Sequence, residues 1–265
     1  MSQALPDALR PDWAAPPGTA ALMSTRAGGC SAAPFDSLNL RPPALGGDGA
    51  DDPAAVLQNQ QRFAAALGAT PVWLNQVHGA DVVRLDASHL APGNSMPRAD
   101  ASFSTERGVA CAVLVADCLP VLMASADGRV VGAVHAGWRG LAAGVVEHTV
   151  AAMVRTSNLR AGEIQAWLGA CIGADAFEVG EDVLRAFGTD AATADPACFA
   201  WRPRADGSPR WRADLALLAR DRLIALGLRS INGGRWCTVA DRSRFFSFRR
   251  DGRTGRMAAA IARIG

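Results

Sequence analysis

Three side chains with metal-binding atoms follow short apolar runs in separate parts of the chain. They are His78, Cys118 and His135, which stand 40 and 17 positions apart. This is not zinc-finger spacing, but each residue lies where a predicted strand gives way to a turn. Two imidazoles and one thiolate form a zinc donor set that leaves the fourth tetrahedral position open. The sequence therefore predicts a catalytic metal site, with these three residues as ligands and catalytic groups.

Each of these residues has a simpler interpretation when it is taken alone. A histidine after an apolar strand is more often structural, and a free cysteine behaves as a small buried apolar residue. The other two histidines, His89 in a polar loop and His148 in a predicted helix, are interpreted as structural or solvated. Only the shared strand-end context favours the metal site.

A glycine-rich turn, HAGWRG at 135–140, provides a candidate anion site. The predicted helix begins at about Leu141, so backbone N–H groups of the turn lie at a helix N-terminus, which attracts anions. Arg139 adds a fixed positive charge there, which makes the turn a candidate seat for a phosphate group and Arg139 a candidate substrate-binding residue. Arg26, in its own glycine-rich segment, is the second candidate for substrate binding.

Two carboxylates stand close in sequence to the predicted ligands. Asp81 follows His78 by three positions, and Asp117 directly precedes Cys118. Either could orient a ligand imidazole or transfer a proton, as carboxylates beside metal ligands commonly do. Each could equally be a turn or capping residue. Cys171 is open in the same way, either as a group near the metal or as a core thiol.

The composition excludes several kinds of catalysis. All 27 basic residues among the 265 are arginine, and the chain has neither lysine nor tyrosine. This excludes a lysine Schiff base, a P-loop lysine and a tyrosine phenol. Acid–base and metal chemistry therefore falls to four histidines, six cysteines and the carboxylates.

Net charge and hydropathy indicate which partners the protein has and in which cellular compartment it is found. A net charge of +2 lacks the footprint of a nucleic-acid-binding protein. The longest apolar run, 109–116, is too short to cross a bilayer, and residues 1–17 lack the apolar segment of a signal peptide. We therefore expect a cytoplasmic protein with reduced cysteines and no membrane or nucleic-acid partner. The oligomeric state, monomer or small homo-oligomer, stays open.

Hydrophobic patterning predicts a mixture of short strands and helices. Strands are predicted at 72–74, 82–85, 109–116, 121–124, 130–134, 164–168 and 257–264. Helices are predicted at 54–67, 141–155, 183–187 and 215–226, and surface loops at 41–53, 91–97 and 189–209. The order shows no regular βαβ alternation, which predicts an α+β fold with mixed β-sheets. None of the loops is long and polar enough to separate domains, so 1–265 is expected to be one domain.

Motifs in order along nearly the whole chain resemble those of the YfiH-like family, also called laccase-domain or multicopper polyphenol oxidase proteins. They are STRAGG (24–29), SLNL (37–40), NQVHGAD (75–81), ADCLP (116–120), HAGWRG (135–140), GACIG (169–173), FEVG (177–180), CT (237–238), FFSFRRD (245–251) and TGRM (254–257). The family usually has tyrosine where this chain has Phe248, a difference of one hydroxyl group.

The resemblance implies a fold and an activity. By position, the family's metal ligands fall on His78, Cys118 and His135. The implied fold is a four-layer αββα sandwich with mixed sheets. The implied enzyme is a zinc-dependent purine nucleoside phosphorylase acting on adenosine, inosine and methylthioadenosine, with adenosine deaminase activity. Purine nucleosides and phosphate are then the expected partners.

Three other functions stay open. The older family name suggests a copper-dependent polyphenol oxidase, or laccase, although a multicopper cluster needs more imidazoles than four histidines readily supply. A metal-free hydrolase acting on cell-wall precursors would use Cys118 as nucleophile and His135 as base. A non-enzymatic module would bind nucleosides without turnover.

Overall fold

A computed structural model describes residues 5–47 and 49–264. The first four residues of the N-terminal segment and position 48 of the predicted 41–53 loop lie outside the described residues. The strands are β1 (Thr19–Met23), β2 (Thr70–Val72), β3 (Val82–Leu85), β4 (Ala101–Ser104), β5 (Val109–Val115), β6 (Leu119–Ser125), β7 (Val131–Ala136), β8 (Ile164–Leu168), β9 (Glu178–Val179), β10 (Phe199–Trp201), β11 (Trp211–Ala213), β12 (Ser230–Gly233) and β13 (Met257–Arg263).

The α-helices are α1 (Pro53–Leu67), α2 (Trp138–Ala142), α3 (Val145–Ser157), α4 (Glu181–Ala186), α5 (Leu215–Ala225) and α6 (Phe248–Asp251). Short 3-10 helices are found at Pro43–Leu45, Ala87–Leu90, Ala161–Glu163 and Ala174–Ala176. Within the described residues, no helix combines the length and the apolar character needed to cross a membrane.

The strands form two large sheets and one small sheet. The larger sheet has the order β12-β8-β6-β7-β4-β3, and the second has the order β1-β13-β5-β2. Both are mixed: β6 and β7 are antiparallel whereas β3 and β4 are parallel, and β2 runs parallel to β5 while β13 runs antiparallel to it. A three-stranded sheet, β10-β11-β9, lies apart from these two in the hydrogen-bond pattern.

Strand β5 shows how its sequence specifies a layered structure. Its odd-numbered residues from 109 to 115 pack into a core shared with β6, β7 and β8 of the other sheet. Ala110, Ala112 and Leu114 point the other way and pack with Phe63 and Leu67 of α1. Because both faces of the strand are buried, its sequence is continuously apolar instead of alternating.

The outer face of the six-stranded sheet is covered by helices α3 and α5. Val146, Val150 and Met153 of α3 share a core cluster with Val121 and Met123 of β6. The layers therefore follow the order helix, sheet, sheet, helix. This is the αββα sandwich with mixed sheets that the resemblance implied, and the fold prediction is confirmed.

Several local predictions were wrong. The strand predicted at 72–74 is β2 at Thr70–Val72, so it ends where the prediction begins. The predicted helix at 141–155 is two helices, because Gly144 takes a left-handed φ of 89° that separates α2 from α3. Helix α2 also begins at Trp138, three positions before the predicted start. The predicted loop at 189–209 contains β10, which pairs with β11 over only three residues.

Candidate metal centre

The three predicted ligands come together where the chain passes between the two large sheets. His78 lies in the connection from β2 to β3, and Cys118 in the connection from β5 to β6, so both are on segments that leave one sheet for the other. His135 is the next-to-last residue of β7 and stands opposite Pro120 of β6. One potential ligand atom from each residue lies within 4.8 Å of the others. The structure therefore brings the three side chains together.

The three ligands differ in their access to solvent. His135 is 3% exposed, Cys118 is half-buried and His78 is exposed. The two imidazole rings stand edge to face, with centroids 4.9 Å apart and an interplanar angle of 76°. An ion held between them would therefore be reached from the His78 side.

Asp100, which the sequence reasoning missed, fixes both histidines. It is completely buried and directly precedes β4, which begins at Ala101. His135 donates from Nδ1 to Oδ1 of Asp100 over 2.8 Å, which leaves its Nε2 available for a metal. The backbone N–H groups of Val77, His78 and Gly79 donate to the same carboxylate at 3.1, 2.9 and 2.7 Å.

These contacts also explain the backbone conformation at His78. Its φ is +60°, in the left-handed region that few residues other than glycine adopt. The tight turn directs three consecutive N–H groups at Asp100, so one carboxylate offsets the strain and orients the His78 loop. No local pattern predicts this, because Asp100 is 22 positions from His78.

The close contacts shift the pKa values of Cys118, His135 and Asp100. Burial alone would raise the pKa of Cys118, but the charges and hydrogen bonds of His135 and His78 outweigh it and lower the pKa to about 6. Burial opposes protonation of His135, yet Cys118 and Asp100 raise its pKa to about 9. Burial works against ionisation of Asp100, but hydrogen bonds from His135 and Gly79 hold its pKa below the usual range. The two shifts favour a Cys118 thiolate beside a protonated His135, so an ion bound through Nε2 of His135 would displace that proton.

The donor set fits a zinc ion. A thiolate and two imidazoles are ligands that zinc prefers, and a carboxylate behind one histidine is a common supporting contact. Within residues 5–47 and 49–264, this is the one group of three such side chains close enough to share an ion.

The two carboxylates that the sequence proposed, Asp81 and Asp117, do not hydrogen-bond to the histidine side chains. Asp117 accepts from the Thr238 hydroxyl and from the Arg249 backbone N–H, both at 2.6 Å. It therefore attaches the C-terminal segments to the site. Asp81 is exposed, and its backbone oxygen accepts from the N–H groups of Asp100 and Ala101.

The glycines of the 135–140 motif lie at points of close packing. A Cβ at Gly137 would stand 3.0 Å from Sγ of Cys118 and 3.2 Å from Cδ2 of His78. A Cβ at Gly140 would stand 2.6 Å from the carbonyl oxygen of Gly79. The motif therefore brings the start of α2 directly against the ligand-bearing loops.

The three ligands open into a cavity of about 540 Å³. This lies within the range of roughly 300–1,000 Å³ that is typical of small-molecule sites. Apolar side chains including Leu74 and Ile172 line it, together with the aromatic rings of Trp138, Phe177 and Phe248. Four arginines also line it: Arg41, Arg139, Arg249 and Arg256.

The two arginines that the sequence proposed are placed differently. Arg139 lines the cavity, exposed, with its guanidinium 4.2 Å from the Trp138 ring centroid. Arg26 is not among the lining residues. Its guanidinium donates to the backbone and carboxylate oxygens of Asp36 and to the Arg242 carbonyl, so these donors hold the Arg26 loop in place. The expectation that Arg26 binds substrate is not supported by its position.

The remaining predicted residues have structural roles. Cys171 is a buried core thiol whose pKa is raised by burial. His89 caps its 3-10 helix through Asp86, and His148 donates to the carbonyl of Ala80.

The comparisons with known proteins agree with this architecture. Residues 20–264 match the family described as multi-copper polyphenol oxidoreductase laccase, and the chain belongs to this family. It is 46% identical over 253 residues to a purine nucleoside phosphorylase of Pseudomonas aeruginosa, covering 96% of this chain and 97% of that protein. It is also 46% identical over 253 residues to purine nucleoside phosphorylase YfiH of Escherichia coli strain K12, covering 95% and 96%. The YfiH-like resemblance is confirmed.

Solved structures show the same fold. A crystal structure of Neisseria meningitidis protein NMB0706 matches with a TM-score of 0.85 and 43% identity, covering 98% of this chain and 100% of that one. The crystal structure of YlmD from Geobacillus stearothermophilus matches with a TM-score of 0.86 and 32% identity, covering 99% and 98%.

Proposed function

We propose that this protein is a zinc-dependent purine nucleoside phosphorylase that acts on adenosine, inosine and methylthioadenosine, with adenosine deaminase activity. One observation carries the proposal: a single cavity combines a thiolate–imidazole donor set with arginines and aromatic rings. Relatives nearly half identical over almost their whole length are named purine nucleoside phosphorylases. The arginines suit phosphate, and the rings suit a purine.

His78, Cys118 and His135 would hold the metal. Bound there, zinc supplies a Lewis acid and can lower the pKa of a coordinated water to about 7. Asp100 accepts the hydrogen bond from Nδ1 of His135 and would thereby keep Nε2 of that ring free to bind the ion.

The other cavity residues would bind and orient the two substrates. Guanidinium groups neutralise phosphate and present paired donors to its oxygens. Phe248 and Phe177 offer ring faces for a purine, while Leu74 and Ile172 exclude water from the reacting atoms. Arg139 is proposed as a further substrate contact at the mouth of the cavity.

The test combines metal analysis with an activity assay. We expect the purified protein to contain about one zinc per chain, as a three-ligand site implies. It should release adenine from adenosine only when phosphate is present. It should convert adenosine to inosine with or without phosphate. Cys118→Ala is expected to lose zinc and both activities, because it removes the one anionic ligand. A circular dichroism spectrum like that of the unsubstituted protein checks that the variant folds.

Two results would contradict the proposal. Full turnover by Cys118→Ala at unchanged zinc content would eliminate the metal site as the catalytic centre. Absence of phosphate-dependent base release from all three nucleosides, by zinc-loaded protein, would eliminate the phosphorylase.

A metal-free cysteine hydrolase acting on cell-wall precursors is the second candidate. It is favoured by the arrangement of Cys118, His135 and Asp100, in which a thiolate faces an imidazole that a buried carboxylate orients. Iodoacetamide inactivation and catalysis that both survive complete chelation would support it. Stoichiometric zinc that is required for turnover would exclude it.

A copper-dependent polyphenol oxidase is the activity that the family description suggests. A multicopper oxidase needs a blue-copper site and a trinuclear site, each with several imidazoles. In the described part of the chain, only two histidines contribute to a shared cluster. This one cluster lacks the further imidazoles of a trinuclear site, so we expect copper-loaded protein to bind about one copper per chain and to show no polyphenol oxidase turnover.

A further inference from the structure

Two cavity arginines, Arg41 and Arg256, differ from the surface arginines of this chain. Many arginines elsewhere pair with carboxylates, as Arg222 does with Glu147 and Arg204 does with Glu178. Arg41 and Arg256 are half-buried, and neither forms an ion pair with any residue in the described ranges. Because these two half-buried cations without an acidic partner also line the cavity, they indicate a site there for an anion that is not part of the chain.

Backbone carbonyls hold both guanidinium groups in place. Arg41 donates to Gly46 O at 2.7 Å and to Leu45 O at 3.3 Å. Arg256 donates from Nη1 to Thr254 O at 3.0 Å and to Gly255 O at 3.1 Å. A guanidinium has five N–H donors, so each side chain keeps donors for a further acceptor.

A single buried residue, Asn39, brings the two arginines to the same wall. Its Oδ1 accepts the backbone N–H of Arg41 at 3.2 Å and that of Arg256 at 2.9 Å. The neighbouring Leu40 N–H donates to Arg256 O at 3.0 Å. Asn39 is completely buried and donates through Nδ2 to Asp51, which fixes the orientation of its amide. The SLNL and TGRM motifs therefore meet at Asn39.

The electrostatics of the pair agree with this geometry. Burial lowers the pKa of Arg41, and burial together with the charge of Arg41 lowers that of Arg256. The two cations therefore repel each other in a partly desolvated place. Cys118 and Asp117 act on the pKa of Arg256 in the opposite direction, so this cation is within electrostatic range of the metal ligands.

The position of Arg256 also suits a ligand that meets a nucleoside. Its guanidinium carbon lies 5.8 Å from the ring centroid of Phe248, one of the rings proposed to bind the purine. An anion held by Arg256 would thus lie close to both the aromatic rings and the ligand-bearing end of the cavity.

We propose that Arg41 and Arg256 together bind the inorganic phosphate substrate, and that Asn39 is the positioning residue that sets their separation. This inference rests on the proposed function and names the residues that hold its second substrate. Two guanidinium groups match the charge and the oxygen geometry of a phosphate dianion. The site is distinct from the glycine-rich turn at 135–140 that the sequence suggested.

The test measures phosphate binding separately from turnover. Inorganic phosphate is titrated into zinc-loaded protein by calorimetry without nucleoside, for the unsubstituted chain, Arg41→Gln and Arg256→Gln. Each substitution is expected to weaken binding by about ten- to hundredfold, the size of a lost charge-assisted hydrogen bond. In the phosphorolysis assay, the KM for phosphate should rise by a similar factor and the KM for nucleoside by less than about threefold.

Arg62→Gln is the matched control. Arg62 is also half-buried and donates to a backbone carbonyl, that of Gly28, but it does not line the cavity. Arg62→Gln should leave phosphate affinity unchanged.

Arg256→Lys, which keeps the charge, should bind phosphate more tightly than Arg256→Gln. Equal melting temperatures establish that the variants are folded. Asn39→Ala should raise the KM for phosphate more than it lowers kcat, because it removes the oxygen that accepts the backbone N–H groups of Arg41 and Arg256.

The outcomes separate this inference from the proposed function. Phosphate affinity unchanged in both folded arginine variants would overturn the inference, even if the protein is a phosphorylase. Arginine-dependent phosphate binding without any phosphorolysis would support the anion site and contradict the proposed function. A parallel titration with adenosine 5′-monophosphate tests the other source of a phosphate group: if the variants weaken only nucleotide binding, free phosphate is not the ligand.

Discussion

The two walls of the cavity are built in different ways. The metal wall comes from the ends of β4 and β7 and from two connections between the sheets, and Asp100 alone fixes two of its three ligands. The opposite wall comes from segments near 41, 177 and 248–256, which are far apart in the chain and whose arginines are held by backbone carbonyls. A substitution of Asp100 should therefore impair the whole metal wall. Substitutions in the opposite wall should each have a smaller, separate effect.

A second aspartate connects the two walls. Asp117 directly precedes Cys118, a predicted ligand, yet its carboxylate accepts hydrogen bonds from Thr238, which is buried and does not line the cavity, and from Arg249 of the opposite wall. Both aspartates are buried and both accept backbone N–H groups. The two aspartates therefore differ in what they hold: Asp100 holds the predicted metal ligands, and Asp117 holds the segment of Arg249, which is proposed to face the substrates.

The largest effect is expected from Asp100→Asn. An amide NH₂ must face at least one of the four donors that the carboxylate now satisfies, so the turn at His78 should loosen. We expect zinc affinity to fall by about ten- to hundredfold, and unfolding free energy by about 2–4 kcal/mol. A chelator competition and urea unfolding of the metal-free protein measure the two quantities.

Asp81→Asn is the control for that experiment, because Asp81 lies in the β2–β3 connection with His78 but is exposed. It should change neither quantity. If Asp100→Asn kept native zinc affinity, the contrast between the two walls would be wrong.

A smaller effect with a different pattern is expected from Asp117→Asn. The amide can still accept one of the two hydrogen bonds, so the attachment of the Arg249 segment should weaken by about 1–2 kcal/mol. Catalytic efficiency should fall several-fold while zinc content stays at the native level. Metal analysis beside steady-state kinetics tests this, and loss of zinc from the folded variant would show that Asp117 acts on the metal wall after all.

The smallest effect is expected from Phe248→Leu. Phe248 is 57% exposed and lines the cavity, so its ring can stack on a base without supporting the core. Losing a base–aromatic contact costs about 1 kcal/mol, which should raise the KM for nucleoside about fivefold with little change in the KM for phosphate. Phe248→Tyr keeps the ring and should keep the nucleoside KM. Equal changes in both KM values would place the ring outside the purine site.

Much of the fold was predictable because burial leaves a pattern. The strands Val82–Leu85 and Ile164–Leu168 have the predicted bounds, and β5 differs by one residue, since each is an apolar run next to turn residues. The three-residue strands β10 and β11 leave no such pattern, because their pairing depends on partners elsewhere in the chain. Gly144 was unexceptional in sequence, and only its left-handed φ divides the predicted helix.

The residues of the site likewise divide into those that the sequence could predict and those that it could not. The sequence placed the three ligands at strand ends, and the structure brings them together. Asp100 could not be recognised, because its role depends on donors more than 20 positions away. Arg41 and Arg256 had a usable signal, since each adjoins or lies within a motif of the family, but no chemistry was attached to those motifs.

The location of His78 and Cys118 has a consequence for the whole molecule. Each lies on a segment that crosses from the four-stranded to the six-stranded sheet, so an ion bound to both joins the two crossings. Because such an ion binds the native arrangement and not the unfolded chain, its binding free energy adds to the cohesion of the sandwich. Sliding of one sheet over the other would pull the sulfur away from the imidazoles. With an ion bound, the proposed catalytic centre would therefore also cross-link the layers, and metal supply would set how firmly they are held together.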